Sequence, residues 1–125
     1  LTLCVSTQVG CAFACRFCLT GKAGWKRDLM VSEILNQILA VRNTLPEKTS
    51  ITNIVLMGMG EPLANYDHTL KAISLMHHPD AFKFSSRRIT LSTVGLLPQL
   101  EALSKERTPF RLAISLNASD EETRT

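Results

Sequence analysis

Four short apolar runs, each followed by a stretch with helical spacing, constrain this 125-residue chain more than any other feature. Residues 2–9 alternate, with Leu3, Val5, Thr7 and Val9 on one face and Cys4, Ser6 and Gln8 on the other, as in a strand. A helix is expected from Ser32 as N-cap, with Glu33 in its first turn and Pro46 beyond its end. Ile34, Leu35, Ile38, Leu39 and Val41 form its apolar face. "NIVLM" (53–57) is a continuous apolar run, the pattern of a strand buried on both faces. A second helix fits residues 66–78, with Leu70, Ile73 and His77 at helical spacing and Pro79 as its stop. "RRITLS" (87–92) reads as the third strand, with Arg87 and Arg88 at its N-terminal end. A third helix starts near Pro98 and carries Leu100 and Leu103. "RLAISLN" (111–117) alternates as the fourth strand, and Ser119 with Glu122 announces a further helix.

About four strand–helix repeats predict an α/β fold with a parallel sheet, either an open doubly wound sheet or part of a (β/α) barrel. Ligands of such folds gather at the C-terminal ends of the strands. Each strand here is followed by unusual chemistry: cysteines after the first, "GMGEP" (58–62) after the second, "STVG" (92–95) after the third, and Ser115 with Asn117 on the fourth. Four such residue groups are therefore expected on one rim.

Cys11, Cys15 and Cys18 fall within eight positions, and Cys4 lies seven residues upstream. No apolar run approaches the roughly 20 residues of a membrane span, and the first residues lack the layout of a secretion signal. Metal or redox use is therefore expected before structural disulfides. Structural zinc normally takes four protein ligands, which here would require Cys4 with Cys11, Cys15 and Cys18. An iron–sulfur cluster is also usually held by four cysteines. Three would leave one iron open to a small molecule. The net charge of +3 is compatible with a nucleic-acid partner and too small to argue for one.

Cys-x3-Cys-x2-Cys after the first strand of a parallel α/β fold resembles the radical S-adenosylmethionine enzymes. "LCVSTQVGCAFACRFCLTGKAGWKRDL", "IVLMGMGEPLANYD", "ITLSTVGLLPQL" and "LAISLNASDEETR" narrow the resemblance. Together they are similar to the radical S-adenosylmethionine methyltransferases that act at C2 of an adenine in 23S ribosomal RNA and, in many members, in tRNA. The resemblance covers essentially the whole chain. It implies a partial (β/α) barrel of the radical SAM type, a 4Fe-4S cluster and S-adenosylmethionine as cofactors, and an electron donor such as a flavodoxin. It further implies a monomer located in the cytoplasm, or in an organelle for a eukaryotic source, with no membrane partner. Residues 1–125 would be a fragment of the catalytic core domain, cut within elements at both ends, without the N-terminal domain and the C-terminal part.

Carried over residue by residue, the resemblance makes Cys11, Cys15 and Cys18 the cluster ligands, the open iron chelating S-adenosylmethionine. Gly60 and Glu61 would contact its methionine part, the Glu61 carboxylate meeting the ammonium. Ser92, Ser115, Leu116 and Asn117 match further cofactor contacts. Asn117 departs from the pattern, where His is most frequent, and an Asn cannot titrate. Cys4 matches a catalytic cysteine that forms a disulfide with a methyl-carrying cysteine to release product. The carrier lies beyond Thr125, and the family's upstream glutamate is absent too. Read without the resemblance, Cys4 is a small buried hydrophobe, "GMGEP" a turn ended by Pro62, and the serines caps of the following turns.

"GKAGWKRD" places Lys22, Trp25, Lys26 and Arg27 in a basic loop suited to RNA, with Trp25 expected to pack down. The alternatives are the C8-methylating relative of the same family, glycyl-radical activation, and a zinc-stabilised binding module.

Overall fold

The computed structural model describes residues 1–10, 24–105 and 110–115. Among the described residues nine regular elements follow one another: β1 (Thr2–Cys4), β2 (Gln8–Gly10), β3 (Trp25–Asp28), α1 (Val31–Arg42), β4 (Asn53–Leu56), α2 (Tyr66–His77), β5 (Ile89–Thr93), α3 (Leu97–Lys105) and β6 (Arg111–Ile114). Short 3-10 turns at Pro62–Asn65 and Ser86–Arg88 lead into α2 and β5. β1, β4, β5 and β6 form one parallel sheet in that spatial order, as the strand–helix alternation predicts. The fourth helix expected after β6 lies outside the described residues. Among the described residues no helix is long and apolar enough to cross a membrane.

The register sorts the strand residues into rows. Leu3, Ile54 and Ile89 lie side by side, as do Leu56, Leu91 and Leu112. From these rows Ile54, Leu56, Ile89 and Leu91 join Ile34 and Ile38 of α1 and Ala72, Ile73 and Met76 of α2 in a single buried core. Ile34, Ile38 and Ile73 are buried and Leu35 and Leu70 partly so, as their spacing predicts, whereas Leu39 and His77 of the expected faces are exposed. The opposite face of the sheet carries Cys4, Val55, Thr90 and Arg111 in one row and Ser92 with Ala113 in the next. Here the sequence expectation is corrected. β4 is buried on one face only, because Val55 is half-buried and Met57 is 49% exposed on the side that no helix among the described residues covers.

The strand expected over residues 2–9 is extended but divided between two sheets. β1 pairs with β4 through Cys4, whereas β2 pairs antiparallel with β3 in a two-stranded ribbon. Between them the chain leaves the main sheet at Ser6, and the Gln37 side chain of α1 takes the place of a neighbouring strand. Its Oε1 accepts from Ser6 N–H and its Nε2 donates to Ser6 O, both at 2.8 Å. The start of α1 also differs from expectation. Met30, not Ser32, is the N-cap, and Glu33 accepts from the Met30 N–H at 3.0 Å. Glu33 is thus at the third helical position, where a carboxylate reaches back to the cap.

Asn65, 4% exposed, joins the ribbon to the sheet. Its Nδ2 donates to Thr7 O and to Leu29 O, each at 2.8 Å. Losing both bonds leaves two carbonyls without partners, at about 1–3 kcal/mol for each buried group left unsatisfied. Asn65→Ala and Asn65→Asp should therefore both destabilise the protein in urea unfolding, Asp because a carboxylate lacks the N–H donors. Ser74→Ala on the exposed side of α2 should stay within about 0.5 kcal/mol. Equal midpoints for Asn65→Ala and Ser74→Ala would refute the role.

Candidate cofactor-binding rim

The C-terminal ends of β1 and β4 are drawn together by backbone. Val5 N–H donates to Val55 O at 2.9 Å, Gly58 N–H to Val5 O at 3.1 Å, and Thr7 N–H to Met59 O at 2.8 Å. Such close approach requires glycine. A Cβ on Gly60, whose φ is +103°, would lie 2.7 Å from the backbone N of Gln8, and one on Gly58 would lie 2.6 Å from Ser6 Oγ. "GMGEP" is therefore more than a turn: its glycines let segment 58–61 lie directly on segment 5–8.

That packing buries Glu61, which is 4% exposed. Its backbone N–H donates to Gln8 Oε1 at 2.9 Å. Its carboxylate accepts from the Thr93 hydroxyl and from Leu63 N–H at 3.3 Å through Oε1, and from Val94 N–H at 3.1 Å through Oε2. A buried carboxylate is tolerable only when hydrogen-bonded in this way. A carboxylate offers about four lone-pair positions, and among the described residues three are filled, leaving one at Oε2. A single cationic N–H donor fits that position, which is the donor expected of an amino-acid ammonium.

Around this centre lie residues that periodicity did not single out. Gln8, 2% exposed, donates through Nε2 to Asp28 Oδ1 at 2.7 Å, and the Trp25 indole N–H donates to the same oxygen at 3.2 Å. A continuous chain of hydrogen bonds thus runs Trp25–Asp28–Gln8–Glu61–Thr93. Gln8 stood only as the outward residue of an alternating strand, and Thr93 as one letter of "STVG". Both are polar residues that packing buries.

Of the expected site residues, Cys4, Ser92 and Ser115 are on the uncovered face of the sheet, and Glu61 and Gly60 are on the rim above it. Cys4 carries a free, exposed thiol, so it is not a buried hydrophobe. Ser92 is half-buried and Ser115 exposed, and neither side-chain hydroxyl has a hydrogen-bond partner among the described residues. The Ser115 backbone N–H donates to Thr93 O at 2.8 Å and ties the end of β6 to the same rim. A carboxylate with one open lone pair and two free hydroxyls on the uncovered face fit a group carrying an ammonium and several hydrogen-bonding oxygens. Cys11, Cys15, Cys18, Leu116 and Asn117 lie outside the described residues. Among the described residues no three His, Cys, Asp or Glu side chains converge as metal ligands. Each histidine has its Nδ1 engaged locally: His68 with Asn65, His77 with Phe84 O, and His78 with the Asp80 N–H.

The basic loop is corrected in part. Trp25 does not pack down but is 51% exposed. Arg27 is committed to Glu33 by two bonds of 2.8 and 2.7 Å, and that hydrogen-bonded guanidinium holds the Glu33 carboxyl down at about 2. Lys26 remains exposed beside Trp25, and Lys22 lies outside the described residues. Arg87 and Arg88 precede β5, at the end of the sheet opposite the rim, as expected.

Comparison with known proteins agrees with the fold. The profile of the Radical SAM superfamily matches residues 5–125. The protein named dual-specificity RNA methyltransferase RlmN of Syntrophobacter fumaroxidans is 55% identical over 98% of this chain and 36% of its own length. Its namesake of Geobacter sulfurreducens is 52% identical over 98% of this chain and 33% of its own length. The crystal structure of a radical SAM methyltransferase from Sphaerobacter thermophilus superposes with a TM-score of 0.90 at 43% identity, covering 97% of this chain and 36% of that one. The chain spans about a third of the length of these relatives. It belongs to the Radical SAM superfamily.

Proposed function

We propose that residues 1–125 are part of the catalytic domain of a longer radical S-adenosylmethionine enzyme that methylates C2 of an adenine in RNA, in 23S rRNA and in tRNA. The observation that carries this reading is the buried Glu61 carboxylate. It is held at the rim with one lone pair open, above a sheet face bearing Cys4, Ser92 and Ser115. The named likeness to RNA methyltransferases supports the substrate class. A cytoplasmic enzyme reduced by a flavodoxin-like donor completes the reading.

Cys11, Cys15 and Cys18 would hold a 4Fe-4S cluster. When bound, that cluster supplies the electron that cleaves the sulfonium of S-adenosylmethionine. The chain's own residues bind and orient. Glu61 accepts from the cofactor's ammonium, and the backbone at Gly60 allows the approach. Ser92, Ser115 and the Leu116–Asn117 segment supply further polar contacts. Cys4 acts last: its thiolate attacks the sulfur of a methyl-carrying cysteine outside this chain. As the disulfide forms, the carrier's bond to the transferred carbon breaks; its electron pair passes to that carbon, which takes up a proton and stays on the adenine as a methyl group. Trp25 and Lys26 give an exposed aromatic and a cation for the RNA near this rim.

Three outcomes test the reading in the full-length enzyme, reconstituted anaerobically with iron and sulfide. Cys15→Ala should lose cluster loading, read by electron paramagnetic resonance of the reduced sample, together with all methylation. Undiminished activity, or one zinc per chain in place of iron and acid-labile sulfide, would sink the proposal. Cys4→Ala should load its cluster normally yet remain covalently attached to RNA on a denaturing gel. Loss of iron from that variant would instead make Cys4 a ligand. Glu61→Gln should load its cluster and bind S-adenosylmethionine about 10- to 100-fold more weakly, the scale of one charge-assisted hydrogen bond. Wild-type affinity in that variant would remove Glu61 from the site. Mass spectrometry of the RNA product separates C2 from C8 methylation.

A further inference from the structure

The end of the sheet away from the rim has a chemistry of its own. There the end of α1, the entry to β4, the loop after α2 and the 3-10 turn before β5 line an open pocket of about 420 Å³. Arg42, Lys83 and Arg88 line it, with Phe82, Thr52 and Ser85. It gathers three positive side chains, as many as the whole chain's net charge of +3. None of the three makes an ion pair among the described residues; Arg27 with Glu33 is the ion pair found there. Like charges gathered without a carboxylate repel one another, so their grouping favours an external anion.

The cations are held in place. The Arg42 guanidinium sits 5.4 Å from the centre of the Phe82 ring, a stacking that orients its fork while leaving its N–H groups to donate. Arg88 is steadied by its Nη1 donating to Asn53 Oδ1 at 3.4 Å. Lys83 has φ of +62°, a conformation that non-glycine residues seldom adopt. Its loop is tied down on both sides, Lys83 N–H donating to His78 O at 3.2 Å and Phe84 N–H to Met76 O at 2.8 Å. The Ser85 hydroxyl accepts from Arg87 N–H at 3.4 Å and keeps its own proton to donate.

We infer that this pocket is a second anchoring site for the RNA substrate. It binds a backbone phosphate at the end of the sheet opposite the reacting adenine. The inference rests on the RNA methyltransferase reading. A fork-shaped guanidinium, an ammonium and a hydroxyl around a concave space suit a phosphate group. RNA offers one phosphate per nucleotide, so a long folded substrate can reach a face that a short one cannot. The pocket then carries no sequence information. It contributes affinity, and it favours large RNA over isolated stem-loops.

The test uses the full-length enzyme, a short stem-loop bearing the target adenine, and a long 23S rRNA fragment containing the same stem-loop. In Arg42→Gln/Lys83→Gln/Arg88→Gln, affinity for the long RNA should fall about 10-fold at physiological salt. The slope of log affinity against log salt should shrink by about 1–2, the loss of one or two phosphate contacts. Binding of the stem-loop and kcat on either RNA should be unchanged. Lys83→Gly, which suits the positive φ and removes one charge, should show the same effect in smaller measure and guards against misfolding of the triple variant. An unchanged salt slope for the long RNA, with wild-type methylation intact, would overturn the pocket alone. Unchanged RNA binding together with slower reduction by an acidic flavodoxin would overturn it in favour of a protein partner. No methylation of either RNA by the wild-type enzyme would overturn the reading on which the pocket rests.

Discussion

One buried negative charge organises the rim. Carboxylates are removed from water only where hydrogen bonds replace those they lose. Glu61 finds its replacements on β5 and in the turn that follows it in the chain: the Thr93 hydroxyl, Val94 N–H and Leu63 N–H. Its own backbone is held by Gln8. The ribbon strand β2, through Gln8, and the end of β5, through Thr93 and Val94, thereby converge on this one residue after β4, and β5 cannot shift along β4 without unpairing its carboxylate. The glycines at 58 and 60 are what allow the chain close enough for this, since side chains there would collide with Ser6 and Gln8.

Much of the fold was legible because its signals are periodic. Ile34 and Ile38, Ile73 and Met76, Ile54 and Leu56 follow the spacings of a helix or a strand, and each is buried. Periodicity could not reveal where the first strand changes sheets. Residues 2–9 stay extended throughout, so alternation persists across Ser6 although the pairing partner changes from β4 to β3. The change is brought about by Gln37, a polar residue inside an amphipathic helix, whose amide imitates a strand edge. A single sequence does not distinguish such a glutamine from one facing solvent. The same holds for Ser32, a good cap by residue type, which loses to Met30 because Glu33 ties the helix start to Arg27 of β3.

The candidate site divides in the same way. Gly60, Glu61 and the serines could be found because unusual residues follow strands at the end where ligands gather. Gln8, Asp28 and Thr93 could not, since their importance lies in partners distant in the chain. Gln8 reaches Glu61 across 53 positions, and Thr93 reaches it across 32. Trp25 was misjudged for a related reason. An aromatic is ordinarily buried for its area, but Asp28 gives its indole N–H a partner while leaving the ring half in solvent.

These hydrogen bonds also bear on how the rim can discriminate among ligands. Three of the roughly four lone-pair positions on the Glu61 carboxylate are filled by the protein, so its residual accepting power points in one direction and suits one donor. An exposed glutamate would accept from any cation, at little energetic consequence in water. Held at 4% exposure, Glu61 gains more from a matching N–H and loses more when one is missing. The apolar core behind Leu56 and Leu91 fixes the strands, β5 fixes Thr93, and Thr93 holds the carboxylate while Gln8 of the ribbon holds the Glu61 backbone. Selectivity at the rim is in that sense a property of the core. A substitution that loosens the packing of β4 against β5 would act first on the setting of Glu61, and only through it on a ligand at the rim.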